Sequence, residues 1–478
     1  MKKIILLTFL LPLIIYSKEV SINEFVKSYI DKTYKIKQDK ELLNQAIADV
    51  IRTYAIDDIY LYGNGGYTYS KGVSSDSLIP KEKSNIYSFM FGASKTFSDT
   101  GTRVKVDTSV SKIDSVAGLS MYSSFIPGLA MMAGQEKTIY MNSLKFSITQ
   151  PLLKNFFGII DKSPNQLSTI AKEIREVLNQ ESFEKELTNA ISLYLRWLFL
   201  YNQIKMLEDI VKENKDVFRQ TEDMVKAGVS NKADLETARV VVIMYEKTLL
   251  EVKKSYEAFL EEVKKYCDLN GDDIPLFEFN FNINVQKQDI TSIRAIKMVE
   301  KYISQVNISL EVAKNKRLPS LDFVTYYTLY GSGDSIGNSY SSLKTSEFFI
   351  GLQLSFPLFN FDSRGEIKKL ESEYERLMLE KEKTIKDLNA VSDSLLDNIK
   401  NLKTIIEKQK EYILSLETKL RYQREQYRQG ILSLAEVTRT SSDLANAKLA
   451  LIGYNVDFYT NYYNYLELTD SIESVFKY

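Results

Sequence analysis

The sequence holds 478 residues, 44% of them hydrophobic, and its charges nearly cancel at −1. That length supports several packed layers and argues against disorder, while the lack of a basic excess excludes the electrostatic footprint of a nucleic-acid binder. Histidine is absent and Cys267 is the single cysteine, which excludes His-dependent triads, His or thiolate metal clusters and an internal disulfide.

In chain order, Lys2 and Lys3 precede an apolar run from Ile4 to Tyr16, followed by Ser17 and the polar pair Lys18-Glu19. This is the pattern of a secretory signal peptide over 1–17, with cleavage near Ser17; a retained membrane anchor is the competing reading. No cysteine follows that would carry a lipid on the mature N-terminus. No later stretch reaches the ~18 apolar residues that a spanning helix needs, and the greasiest, Leu193–Tyr201, is interrupted by Arg196. The mature chain is then either soluble in the periplasm or spans a bilayer as a closed β-barrel.

Two textures alternate from there on. Lys/Glu-rich helical periodicity fills 21–56, 163–227, 231–267, 290–317, 365–428 and 433–470; Tyr/Phe/Ser-rich alternation predicts strands over 58–69, 86–97, 102–112, 139–151, 320–331 and 346–357. Pro164 suits the first turn of a helix. From Asn165 to Ala227 no proline or glycine interrupts, so the predicted helix runs ~95 Å at 1.5 Å per residue and belongs to a coiled coil or bundle. Trp197, in mid-helix, reads as inter-helix core. Cys267 to Asp273 reads as a helix-ending turn rather than a calcium loop, whose spacing it lacks. In the second half, Phe348, Ile350, Leu352 and Leu354 alternate with Glu347, Gln353 and Ser355. Such a strand fits between lipid and an aqueous lumen, and equally fits a half-buried sheet in a soluble protein. Gly331–Gly337 reads as the hairpin loop before that strand and not as a phosphate loop, because no helix is expected after it.

A duplication organises the whole. Gly228-Val-Ser-Asn-Lys-Ala-Asp-Leu and Gly430-Ile-Leu-Ser-Leu-Ala-Glu-Val match at a constant offset of 202 (430 − 228). Each glycine ends a long helix in the left-handed conformation that glycine tolerates best. Each is followed by a cap candidate, Asn231 or Ser433, and by an acid at the third helical position, Asp234 or Glu436. Ser433-Leu-Ala-Glu436 is the fuller capping box and Asn231 with Asp234 the looser one. Upstream, Leu144, Phe146 and Ile148 lead to Pro151 just as Ile350, Leu352 and Leu354 lead to Pro357. Strand, proline, long helix, glycine turn and returning helix therefore occur twice. The first repeat covers 18–290 (an N-terminal helix, β segment 58–151 and helical hairpin 163–267). The second covers 291–478 (helix 290–317, β hairpin 320–357 and helical hairpin 365–470).

These halves resemble the outer-membrane efflux protein family typified by TolC. The resemblance is carried by Ser147-Ile-Thr-Gln-Pro151-Leu-Leu, Leu318-Pro319-Ser-Leu, Asp234-Leu-Glu-Thr-Ala-Arg239 and Leu444-Ala-Asn-Ala447. It implies a mostly helical protein with membrane β-structure: a homotrimer whose strands pool into one β-barrel in the bacterial outer membrane, continued by a periplasmic α-helical barrel. Such a duct is not an enzyme and needs no cofactor or metal. It meets a periplasmic adaptor protein and an inner-membrane transporter, in an efflux or type I secretion system. Position by position, Asp234 and Tyr427 resemble the family's gate link between neighbouring hairpins, and Glu436 its lumen-facing acidic ring. Capping is the competing role for both acids. Arg439 stands where a second acid is expected and is a candidate partner for Glu436; Leu432 replaces a basic bridge residue. Gly228, Val229, Ser230, Gly430, Ile431 and Leu432 form the turns that would dock the adaptor, or else pack within the tips. Tyr326, Tyr327, Tyr330, Phe348 and Phe349 are candidates for interfacial aromatic girdles, or for ordinary sheet packing. The sequence departs from the resemblance in 70–140, where two extra strands around Ser98–Gly101 exceed the two per repeat it implies. They enlarge the barrel, extend outside the cell or fold back. A non-channel structural coiled-coil protein of the envelope is the alternative for the whole chain.

Overall fold

The structure, a computed structural model, describes residues 18–72, 81–117 and 136–476 apart from 268, 270–272, 282 and 284. The expected signal peptide, part of the segment 70–140 and most of the Cys267–Asp273 turn lie outside the described residues. In chain order the first half comprises β1 (Glu19–Ser21), α1 (Ile22–Lys32), α2 (Tyr34–Thr53), β2 (Ile59–Lys71), β3 (Lys81–Phe97), β4 (Thr102–Ala117), β5 (Glu136–Pro151), α3 (Ser163–Lys226) and α4 (Lys232–Val263). There follow β6 (Ile274–Leu276), α5 (Arg294–Lys316), β7 (Ser320–Gly333), α6 (Ile336–Ser341), β8 (Thr345–Ser355), α7 (Phe361–Arg428) and α8 (Leu434–Leu468).

Three local expectations are corrected. The helical texture over 21–56 is broken at Thr33, whose extended backbone (φ −68°, ψ 130°) separates α1 from α2. Glycine-rich Gly331–Gly337 is not a plain hairpin loop. The Ser335 hydroxyl accepts the Asn338 N–H at 3.2 Å and so caps the short helix α6 before the strand resumes. The capping-box expectation at Ser433 also fails, as described below. By contrast Ser21-Ile-Asn-Glu24 forms a complete box, each side chain bonding the other's backbone N–H.

The chain divides into two compact units, one made of Met1–Leu42, Glu176–Met298 and Lys381–Tyr478, the other of Leu43–Arg175 and Val299–Glu380. The first is built on the long helices. Over its 64 residues α3 keeps the unbroken run expected of it, with Pro164 in its first turn, and α7 extends to 68 residues. Neither has the length of an ordinary domain helix, so both draw stability from side-by-side packing. Trp197, Tyr194, Phe25, Phe259 and Phe458 are fully buried, each contributing on the order of 2–3 kcal/mol by leaving water. The Trp197 indole N–H donates to the Tyr256 hydroxyl at 3.0 Å. Tyr194 places its hydroxyl within 2.9 and 2.8 Å of the Val20 and Leu276 carbonyls, so it clasps the parallel pair β1–β6. Cys267 is buried, with its thiol against the Phe25 carbonyl at 3.6 Å.

Buried charge in this unit includes a cluster around Arg294. Arg294 contacts Glu184, lies 3.2 Å from Asp470 and 3.7 Å from Glu181, and its backbone N–H donates to Asp470 at 2.6 Å. Glu184 is only 1% exposed, and burial, opposed by the guanidinium, pushes its carboxyl up to about 7.

The second unit holds a six-stranded antiparallel sheet in the order β2-β3-β4-β5-β7-β8. The extra pair of strands in 70–140 is thus an integral part of one continuous sheet. No helix among the described residues is long and apolar enough to cross a membrane.

Candidate functional site

The two helix–turn–helix tips are built by the same backbone device. Gly228 and Gly430 both take φ +72°. The N–H groups of Gly228 and Val229 donate to Val225 and Met224, and those of Gly430 and Ile431 to Tyr427 and Gln426. This is the Schellman arrangement, which satisfies the last carbonyls of α3 and α7. The tips are neighbours: a Cβ on Gly430 would lie 3.9 Å from the Val229 side chain. Behind them Ala238, Leu420, Tyr427, Leu434, Val437 and Leu444 form a buried cluster, with Leu432 packed on it. Val229 and Ile431 instead point into solvent, 56% and 70% exposed.

The caps differ. The Asn231 side chain accepts the Asp234 N–H at 2.8 Å, and the Ser230 hydroxyl donates to the Asp234 carboxylate at 2.8 Å. Ser433 has the extended backbone of a cap but makes no side-chain cap bond; fully buried Leu434, the next residue, anchors that helix start by packing instead. Tyr427 is buried, and its hydroxyl donates to Thr221 at 3.2 Å rather than to Asp234. Glu436 and Arg439 are both exposed and form no ion pair with each other among the described residues, so the pairing expected of Arg439 is absent. Ion pairs lace the hairpins: Lys215–Glu246 and Glu208–Lys253 join α3 to α4, Glu417–Lys448 joins α7 to α8, and Glu213–Arg424 joins α3 to α7. Thr221 and Arg424 were not singled out from the sequence. Buried Asn214 and Thr221 lie two turns apart on one stripe of α3, and that periodicity is the signal that marks Thr221.

The sheet is two-faced. Residues opposite one another in neighbouring strands share a face, so the register carries a row across all six strands. One such row is Leu61, Ala93, Val106, Phe146, Tyr327 and Phe348; the next, on the other face, is Tyr62, Gly92, Asp107, Lys145, Thr328 and Glu347. Rows such as Ile59–Lys95–Val104–Ile148–Thr325–Ile350 extend the largely apolar face. The polar face carries a bonded network. The Tyr62 hydroxyl donates to Asp107, those of Tyr326 and Tyr330 donate to Glu347 at 3.0 and 2.7 Å, and the Lys145 ammonium sits 4.0 Å from the Tyr326 ring centre. The aromatic girdle expectation therefore divides. Tyr327 and Phe348 lie on the apolar face, whereas Tyr326, Tyr330 and Phe349 share the polar one, where Phe349 stacks on Tyr326.

Comparison with known proteins agrees with this geometry. Residues 290–464 match the family model described as outer membrane efflux protein. No curated protein sequence matches the chain. Among solved structures, CusC, whose crystal structures concern folding and transmembrane channel formation, superposes with a TM-score of 0.67 at 14% identity over 95% of this chain and 93% of its own. The CmeC outer membrane channel of Campylobacter jejuni gives 0.61 at 13% identity, covering 94% and 86%. The outer membrane protein VceC of Vibrio cholerae gives 0.64 at 12%, covering 94% and 95%. At such identities the likeness is one of fold.

Proposed function

We propose that this chain, whose residues 290–464 match the outer membrane efflux protein family, is the exit duct of a tripartite efflux or type I secretion system. Three copies pool their sheets into one outer-membrane barrel, and their helical hairpins form the conduit through the periplasm. An inner-membrane transporter delivers small toxic molecules or polypeptides through a periplasmic adaptor. The duct itself is a passive conductor with no catalytic turnover.

The observation that carries this reading is the two-faced sheet. Leu61, Phe348, Ile350 and Leu352 are 81%, 66%, 59% and 66% exposed on one face, while Asp107, Lys145 and Glu347 line up on the other. A face of that kind is costly in water and stable against lipid, and the opposite face suits an aqueous lumen. At the tips, exposed Val229 and Ile431 support adaptor docking, with Gly228, Ser230, Gly430 and Leu432 shaping the turns. Asp234, Tyr427, Glu436 and Arg439 are the gate residues in this reading. A threefold axis beside the tips would gather three Glu436 carboxylates, favouring cations and permitting block by divalent ions.

Planar-bilayer conductance of the purified protein tests it. Wild type should conduct with cation preference; Glu436→Ala should reduce that preference, and Tyr427→Phe should raise the open fraction by loosening the Thr221 contact. A protein that extracts without detergent and forms no channel would be the structural coiled-coil protein instead.

A further inference from the structure

We infer that the membrane barrel of this duct is built from six strands per copy, eighteen in the trimer, sealed where β2 of one copy pairs with β8 of the next. The inference rests on the trimeric reading above and deepens it, because the number of strands sets the bore. The resemblance noted from the sequence implies two strands per repeat, four per chain, whereas the sheet here has six, in continuous register but for one irregularity at Lys81–Lys83.

The additional hairpin is built in rather than appended. Its turn, Ser98–Gly101, lies at the helical end of the sheet. Asp57, just before β2, accepts both the Ser98 backbone N–H at 2.8 Å and the Ser98 hydroxyl at 2.7 Å. From the other side the turn after β5 closes on it: a Cβ on Gly158 would lie 1.6 Å from the Ser98 carbonyl oxygen, so only glycine fits there. The β3–β4 turn is thus clasped between the start of β2 and the end of β5. Both strands pair along nearly their whole length with β2 and β5 and carry the rows Leu61–Phe348 and Tyr62–Glu347 across the sheet. A hairpin that left the barrel would have to forfeit these bonds and two full ladders.

The two free edges are made for pairing with each other. β2 and β8 run in opposite directions, since five successive antiparallel pairings separate them. Their lengths are similar, 13 and 11 residues. Almost every residue of both strands is exposed, in contrast to the half-covered β4 and β7. Natural edge strands are normally guarded by lysine or proline. Here the only charged residues are Lys71, the last of β2, and Glu347 near the start of β8, and neither strand contains proline. Unguarded edges in lipid leave backbone groups unsatisfied, which hydrocarbon penalises heavily. One copy has six strands, below the eight of the smallest known barrels; joining copies edge to edge satisfies every ladder and keeps the count even. Because barrel diameter grows roughly linearly with strand number, eighteen strands give a bore about half as wide again as twelve.

Electron microscopy of the full-length protein in lipid nanodiscs decides it. The expected particle has threefold symmetry and eighteen strands around the membrane passage. A threefold particle with twelve strands and β3–β4 outside the wall overturns the inference but leaves the duct reading standing; a particle with no membrane passage removes both. The edges are tested independently by disulfide cross-linking in a Cys267→Ser background. Leu61→Cys or Ile59→Cys is combined with Phe348→Cys, Ile350→Cys or Leu352→Cys, all exposed positions on the apolar face. At least one combination should convert the monomer band to covalent dimer and trimer. Absence of such bands from every combination, in protein that still conducts, overturns the β2–β8 seam.

Discussion

In the sheet, Leu61 and Phe348 stand 81% and 66% exposed, while in the helical unit Trp197 and Tyr194 are completely covered. One chain thus obeys two opposite rules of burial. In the proposed duct the helical unit hides its large side chains because water surrounds it, and the sheet displays them because its outer solvent would be hydrocarbon. Stability of the two regions should therefore respond to different substitutions in different media.

The largest expected effect is Trp197→Ala, which removes a fully buried ring and should destabilise the helical unit by about 3–5 kcal/mol, measured by denaturant unfolding in detergent. Leu352→Arg should cost about 2–4 kcal/mol if the outer face meets the bilayer midplane, measured by refolding into vesicles. Gln353→Arg, on the polar face, should be nearly silent; equal costs for the two would break the comparison.

A pH effect sharpens it further. Glu184, facing Arg294, Asp470 and Glu473, is held near 7 in the folded chain, above the ordinary carboxyl value of 4.5. Folding therefore favours its neutral form. The stability it contributes is complete below about pH 4.5 and is lost as pH rises through 7. Thermal unfolding followed across that window should show the decline, and Glu184→Gln should flatten it.

Smaller effects separate the tips. Gly228→Ala and Gly430→Ala should each cost about 1–2 kcal/mol, because both positions need left-handed backbone. Asn231→Ala should cost about 1 kcal/mol through loss of its cap bond, whereas Ser433→Ala should stay within about 0.5 kcal/mol. Hydrogen exchange at 234–236 against 436–438 reads the difference.

Much of this was legible in the sequence. The alternation of Phe348 to Leu354 against Glu347 and Gln353 predicts which face each occupies, and the register agrees. The unbroken run after Pro164 predicts α3, because nothing in it stops a helix. The Gly228 and Gly430 turns follow from the conformational freedom of glycine. What the sequence hid depends on side-chain direction. Ser433 satisfies the capping-box pattern, yet its hydroxyl is unused while Leu434 does the anchoring. The Tyr427 hydroxyl finds Thr221 on a helix distant in sequence. Tyr326 and Tyr330 look like membrane aromatics by composition, but alternation turns them towards Glu347. Nor does composition state that β3 and β4 join the common sheet. That is fixed by their ladders to β2 and β5 and by Asp57 and Gly158 meeting Ser98 across the fold.

The junction between β5 and β7 has a temporal consequence. These adjacent strands pair Pro151 with Asp322, partners separated by roughly 170 residues, so their contact belongs to the slow, non-local kind. The four strands β2–β5 are joined in sequence by hairpins and can assemble early, but the wall cannot be completed until α3, α4 and α5 have emerged. In the proposed duct two apolar ribbons would stay unsealed until then, and a factor that shields strand edges would govern how much chain completes the wall.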